Sequence, residues 1–192
     1  MLIGIDPGKT GAIAWCHESY SPGLANVVSM PGFDAEITKF LRTLNTQLVG
    51  DETVKVWIEK QAYMQGDGGK GVATFMQGYG YLLGSLRMLG WSVDEVPPMK
   101  WKRQQGVLVT KTPVPMSADG SARSRMAREH KKKLKDASIA RAMSLYPDVD
   151  YGTNRASHTE GRAEALLILQ YGRDTTMAAA NVPTPQWEID DQ

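Results

Sequence analysis

The sequence predicts an α/β domain built on a mixed, five-stranded sheet flanked by helices. Three observations carry that prediction. Short apolar runs separated by Gly and Pro turns crowd the first part of the chain, a strict period-two run recurs at 54–60, and beyond residue 33 such runs alternate with stretches of helical period. A chain of 192 residues, 42% hydrophobic and 22% charged, suits one domain with a sizeable core.

Residues 2–5 and 11–15 read as two strands around the turn Asp6-Pro-Gly-Lys-Thr-Gly11, and 26–30 as a third strand after the turn Ser21-Pro-Gly23. Apolar residues at Phe33, Ile37, Phe40, Leu41, Leu44 and Leu48 form a helical stripe over 33–48. The alternating run 54–60 is the fourth strand. A glycine-rich loop follows at 61–71, then a helix over 72–89, and a fifth strand over 92–96 stopped by Pro97-Pro98. Residues 100–106 read as a short helix. The stretch 107–129 has little pattern, and 107–130 is expected to be a flexible basic insertion. A helix over 134–146 ends at Pro147, and a last helix over 160–171 ends at Gly172. Residues 174–192 have low core-forming potential and are expected to be a disordered tail.

No apolar run approaches the roughly 18 residues that a membrane span needs, and no leader is expected ahead of Leu2. Cys16 is the single cysteine, which excludes an internal disulfide and a cysteine zinc cluster, and the expected location is the reducing cytoplasm. The net charge is only +1, yet residues 100–135 hold eleven Lys/Arg against two acids, a local +9. Charge segregated to that degree points to a polyanionic partner rather than to a merely solvated face.

Two acids stand where strands end. Side chains alternate on a strand, so Leu2, Gly4 and Asp6 share one face of the first strand, and Lys55, Trp57 and Glu59 one face of the fourth. Asp6 and Glu59 therefore lie at the carboxyl ends of apolar strands, the edge of an open α/β sheet where ligands bind. If the two strands are parallel neighbours, the carboxylates meet. In Glu160-Gly-Arg-Ala-Glu164 two more acids lie four apart on one helical face, a like-charge pair that costs a helix a few tenths of a kcal/mol unless cations neutralise it. Each acid also has a bland role. Asp6 can open a turn with Pro7-Gly8, Glu59 can reach water, Glu160 can close a capping box with Ser157 as N-cap, and Glu164 can be a helix-edge charge. Taken together they form an all-oxygen donor set suited to Mg²⁺ or Mn²⁺ rather than zinc. Carboxylates bridging two such ions about 3.5–4 Å apart activate water and stabilise the leaving oxygen of a phosphodiester.

The set Gly4-Ile-Asp6-Pro-Gly8, Ile58-Glu59 and Glu160-Gly-Arg-Ala-Glu164, with the apolar run that follows, resembles the RuvC-like Holliday junction resolvases of the RNase H-like superfamily. Phage-encoded members look most similar, given Val96-Pro-Pro-Met-Lys-Trp-Lys102 and Lys135-Asp-Ala-Ser-Ile-Ala-Arg-Ala142 between the acidic motifs. The resemblance spans residues 1–173. It implies an RNase H-like nuclease domain over 1–173, a crossover junction endodeoxyribonuclease that cuts four-way and related branched DNA, and Mg²⁺ as cofactor, two ions per site, with Mn²⁺ as substitute. Asp6, Glu59, Glu160 and Glu164 match its metal-binding catalytic acids. Glu160 departs from the pattern, because the family usually supplies aspartate there, often three residues before the last acid. The resemblance also implies a homodimer working in the cytoplasm of a phage-infected bacterium, and leaves the tail for phage or host recombination proteins.

The basic stretch then has its partner in DNA phosphates, contacted by Lys100, Lys102, Arg103, Lys131, Lys132, Lys133 and Lys135. Trp101 either stacks on a base or anchors its segment to the core. In the glycine loop, Tyr63 and Met64 are candidates to wedge against unstacked bases at the branch point. His158 is the one histidine near the acids and reads as a bystander. The helix over 72–89 is apolar more widely than one core-facing stripe requires, and Gly80 and Gly84 allow close backbone approach. Core packing accounts for any one of these residues, but the resembled family is homodimeric and uses this region for its interface, so the resemblance implies Phe75, Tyr79, Gly80, Leu83 and Gly84 at a dimer interface. Alternatives on the same fold are a ribonuclease or RNA-processing nuclease and a non-catalytic junction-binding protein. The actin-like sugar kinases and ATPases share the strand–Asp–Gly opening but need two duplicated domains, for which the chain is too short.

Overall fold

The computed structural model describes residues 1–17, 23–32, 35–48, 50, 52–61, 69–115, 117, 119–152 and 156–180. Its elements run β1 (Leu2–Asp6), β2 (Ala12–Cys16), β3 (Asn26–Ser29), α1 (Ala35–Asn45), β4 (Lys55–Glu59), α2 (Gly69–Met88), β5 (Ser92–Val96), α3 (Pro98–Gln104), α4 (Gly120–Leu145) and α5 (Ala156–Ala180). The strands form one mixed sheet in the order β3-β2-β1-β4-β5, with β1 central. β2 runs antiparallel to β1 and β3, whereas β4 is parallel to both β1 and β5. This is the expected five-stranded mixed sheet flanked by helices.

Period-two alternation in the strands divides the core in two. Ile3, Ile5, Ile13, Val56 and Ile58 pack with Ile37, Leu41 and Leu44 of α1 and Leu82 and Leu86 of α2. On the other face Leu2, Ala12, Ala14 and Trp57 pack with Trp101 of α3, Ala142 of α4 and Ala165 to Leu169 of α5. Asp6 and Glu59 belong to this second face. No helix among the described residues is long and apolar enough to cross a membrane.

Two helices, α4 and α5, differ from the sequence reading, each for a physical reason. α4 begins at Gly120, so half of the supposed flexible insertion is helix, capped by Asp119, whose carboxylate accepts from the Ala122 amide at 2.7 Å. Its first half is exposed or half-buried along its whole length, so no apolar period marks it. α5 continues past Gly172 to Ala180, which takes Asp174 to Ala180 out of the expected tail. Gly172 is a socket rather than a stop: a Cβ there would fall 2.6 Å from Cζ3 of the Trp57 indole. α5 also begins earlier, at Ala156, so Ser157 is inside the helix and not its N-cap. The rest of the expected tail, 181–192, lies outside the described residues.

Candidate active site

The parallel register of β1 and β4 pairs Ile5 with Ile58, so the next residues, Asp6 and Glu59, emerge side by side at the carboxyl edge of the sheet. α5 is laid across that edge at backbone contact. A Cβ on Gly4 would lie 2.7 Å from Leu169 Cα, and one on Gly161 would lie 2.8 Å from Gly11 Cα. Both glycines are required by close approach. Glu164, between those two seats on α5, is thereby brought over Asp6 and Glu59. The entry of α5 is tied down by Thr159, whose hydroxyl donates to the Gly152 carbonyl at 2.7 Å, and by Arg162, which donates to Ser29 Oγ at 3.1 Å and to the Asp150 carbonyl at 2.8 Å.

The three carboxylates sense one another. Burial, reinforced by Glu164 and Glu59, pushes the Asp6 carboxyl up to about 7, against the opposing pull of the Gly8 amide at 3.4 Å and of the Lys102 charge. Burial and then Glu164 likewise raise Glu59. Glu59 is aimed by two donors, Trp101 Nε1 on Oε2 at 2.9 Å and Gln61 Nε2 on Oε1 at 3.2 Å. Trp101 is fully buried, so it anchors α3 and is not available to stack on a base. The next residue, Lys102, places its Nζ 2.9 Å from Glu164 Oε1. Burial alone would lower that ammonium, but Glu164, Glu59 and Asp6 together hold it above its ordinary range. Ser138 of α4 stands 3.5 Å from the same Glu164 oxygen. Among the described residues no three side chains are drawn together tightly enough to grip a metal ion. The donor set is nonetheless of the right chemistry, hard, anionic and short of positive charge, with an ammonium in its midst.

Glu160 stands one turn before Glu164 and is ion-paired with Lys135 of α4. Because α5 already includes Ser157, the capping-box role has lost its N-cap. The Glu160–Lys135 pair is partly exposed, with Lys135 at 38%, and such pairs contribute at most about 1 kcal/mol. Glu160→Gln is therefore expected to leave the melting temperature nearly unchanged, as thermal denaturation will show. If Glu160 belongs to the catalytic set, the same change cripples cleavage; wild-type cleavage would remove it from the set. His158, half-buried on the same helix, is not drawn into any described bond to these acids.

The solved structures to which the chain is similar include two of RuvC. With the Thermus thermophilus RuvC structure it shares 14% identity at a TM-score of 0.45, over 91% of this chain and 96% of that one. With T. thermophilus RuvC in complex with Holliday junction substrate it shares 16% identity at a TM-score of 0.45, over 92% of this chain and 95% of that one. No family model and no curated protein matches it.

The basic candidates fall into two groups. Lys100, Arg103, Lys131, Lys132 and Lys133 are exposed, with Lys100 lying 5.9 Å from the Tyr171 ring centroid. Lys102 and Lys135 are instead turned onto Glu164 and Glu160. Sequence reasoning missed Lys111, Arg123 and His130 as individuals. They line, with Lys133 and Glu129, a pocket where residues 111–114 fold back against α4. Only the tally of charge over 100–135 hinted at them. Tyr63 and Met64 lie outside the described residues.

The interface candidates on α2 also divide. Tyr79 and Leu83, 5% and 9% exposed, are committed to this chain's own core, and the Tyr79 hydroxyl donates to Glu95 Oε2 at 2.8 Å. Both pack in the core cluster with Leu82 and Leu86 of the same helix. Gly80 and Gly84 lie on the exposed side with open space beyond their Cα atoms, beside Tyr81 and Met88, while Phe75 is half-buried.

Proposed function

We propose that the chain is a structure-selective DNA endonuclease, RuvC-like and of phage type, that resolves four-way and related branched junctions by paired phosphodiester hydrolysis. The observation that carries this reading is the convergence of Asp6, Glu59 and Glu164 on one edge of the sheet, flanked by the basic faces of α3 and α4. Asp6, Glu59 and Glu164, with Glu160 beside them, would hold Mg²⁺ or Mn²⁺, two ions per site. When bound, such ions polarise the scissile phosphate and acidify water. Trp101 fixes the aim of Glu59, and α5 holds Glu164 in register with both strand ends. Lys100, Arg103 and Lys131 to Lys133 are placed to hold the phosphate backbone, which fixes position without reading sequence.

The test is cleavage of a synthetic four-way DNA junction with Mg²⁺, beside a linear duplex and an RNA–DNA hybrid. Selective, symmetric incision of the junction supports the reading. Cleavage of the hybrid alone makes the protein a ribonuclease, and junction binding with no cleavage by any metal makes it a binding module.

Paired incision needs two active sites, so the protein is expected to act as a homodimer joined through the outward face of α2. Gly84→Arg tests this, because a Cβ built there has nothing within 4 Å outside its own helix backbone. Light scattering over a dilution series should find a dimer that this change splits, since an uncompensated charge in a desolvated interface costs several kcal/mol. A wild-type monomer, free and on a junction, overturns the expectation.

A further inference from the structure

We propose that Lys102 is a built-in counter-ion of the carboxylate cluster, one that a divalent cation must displace to enter, so that this side chain sets the metal affinity of the site. The inference rests on the proposed function, since it takes the cluster to be a metal centre. Lys102 sits in the short helix α3, fixed by the fully buried Trp101 immediately before it. Trp101 bonds Glu59 and Lys102 bonds Glu164, so adjacent residues of one helix engage the acids of β4 and α5. The Lys102 side chain is only 22% exposed, which puts its charge inside the cluster rather than above it. Its ammonium also lies 4.9 Å from the Trp101 ring centroid, a second stabilising contact.

Three carboxylates gathered without a cation would repel one another, and Lys102 relieves that repulsion in the metal-free chain. The same ammonium repels an incoming divalent ion within a few ångströms, where the interaction is strongest. The two cations compete for the charge of Glu164, whose Oε1 already lies 2.9 Å from the ammonium. The four-carbon stem lets the ammonium withdraw while Trp101 keeps α3 in place. Removing the charge thus has opposite consequences for the empty and the loaded protein, a pattern that loss of an ordinary DNA-contacting lysine does not produce.

The experiment compares DNA-free wild type, Lys102→Met and Lys102→Arg. Mn²⁺ binding is followed by electron paramagnetic resonance, and thermal melting is measured in chelator and in excess Mn²⁺. Lys102→Met should bind Mn²⁺ on the order of tenfold more tightly or better, while Lys102→Arg, which keeps the charge, stays near wild type. In chelator Lys102→Met should melt below wild type, and added Mn²⁺ should raise its melting temperature by more. Lys102→Gln provides a second neutral variant if Lys102→Met does not fold. Mn²⁺ binding that is equal or weaker in the neutral variants, with wild type binding normally, overturns the counter-ion role alone. No Mn²⁺ binding by any of the proteins overturns the metal centre as well.

Discussion

Asp6→Asn is expected to abolish junction cleavage while making the metal-free protein more stable above neutral pH. The Asp6 carboxyl is pushed up to about 7 from an ordinary 3.8, so between those values the folded chain holds a proton that the unfolded chain has released. The stability this group contributes is complete below pH 3.8 and is lost as pH rises to about 7. At about 1.4 kcal/mol per unit, the wild type carries a burden of a few kcal/mol once the carboxylate is ionised. Asparagine keeps the shape and can still accept from the Gly8 amide, but has no charge to bury. Melting curves in chelator should therefore place the variant above wild type at about pH 8 and bring the two together near pH 4. Excess Mn²⁺ should narrow or reverse the gap, because a bound ion stabilises only the protein that ligates it. Junction binding should survive, since the proposed phosphate contacts come from the basic residues of α3 and α4 and not from Asp6. A variant that still nicks, or one less stable than wild type in chelator at the higher pH, would remove Asp6 from the site.

The second large effect concerns Gly4. Gly4→Ala is expected to cost roughly 3 kcal/mol or more, and on the order of 10 °C in melting temperature. The added methyl group would meet the helix backbone itself, with Ala165 O at 2.5 Å and Leu169 Cα at 2.7 Å. A flexible side chain can turn away, but a helix backbone can only retreat as a unit. α5 would lift from β1, and Glu164 would leave Asp6 and Glu59. Calorimetry measures the first loss and junction cleavage the second. An alanine variant that melts within about 2 °C of wild type would show that α5 is not seated on Gly4 as described.

The sheet and two of its acids were legible because strand alternation is a local property. The spacing Leu2, Gly4, Asp6 and Lys55, Trp57, Glu59 reports faces without knowledge of the neighbours, and the paired register then sets the two carboxylates side by side. Helix limits were legible only where a core-facing stripe exists. α1 follows its stripe closely, whereas the first half of α4 has solvent on most sides and so carries no period. Its capping aspartate and its run of good helix formers were the available signals. Gly172 misled because glycine stops helices far more often than it makes room for an indole on a neighbouring strand. For Tyr79 and Leu83 the sequence left core and interface open, because apolar width on a helix does not say whether the partner is the chain's own sheet or a second copy. That Lys102 follows the strand ending at Val96 put it beside the acids, but its bond to Glu164 could not be read, because it depends on α3 and α5 meeting in space.

The seat of α5 on β1 has a consequence for the time at which the carboxylate cluster is complete. The acids of the cluster come from β1, β4 and α5, so the first and last of them are separated by nearly the whole described chain. Contacts between such distant segments form late in folding, after the costly loop between them has been closed. During synthesis β1 emerges early, and Glu164 cannot reach it until α5 has cleared the ribosome. Neither a truncated chain ending before α5 nor a partly folded one holds the complete set of carboxylates. Assembly of the cluster is thus tied to completion of the fold.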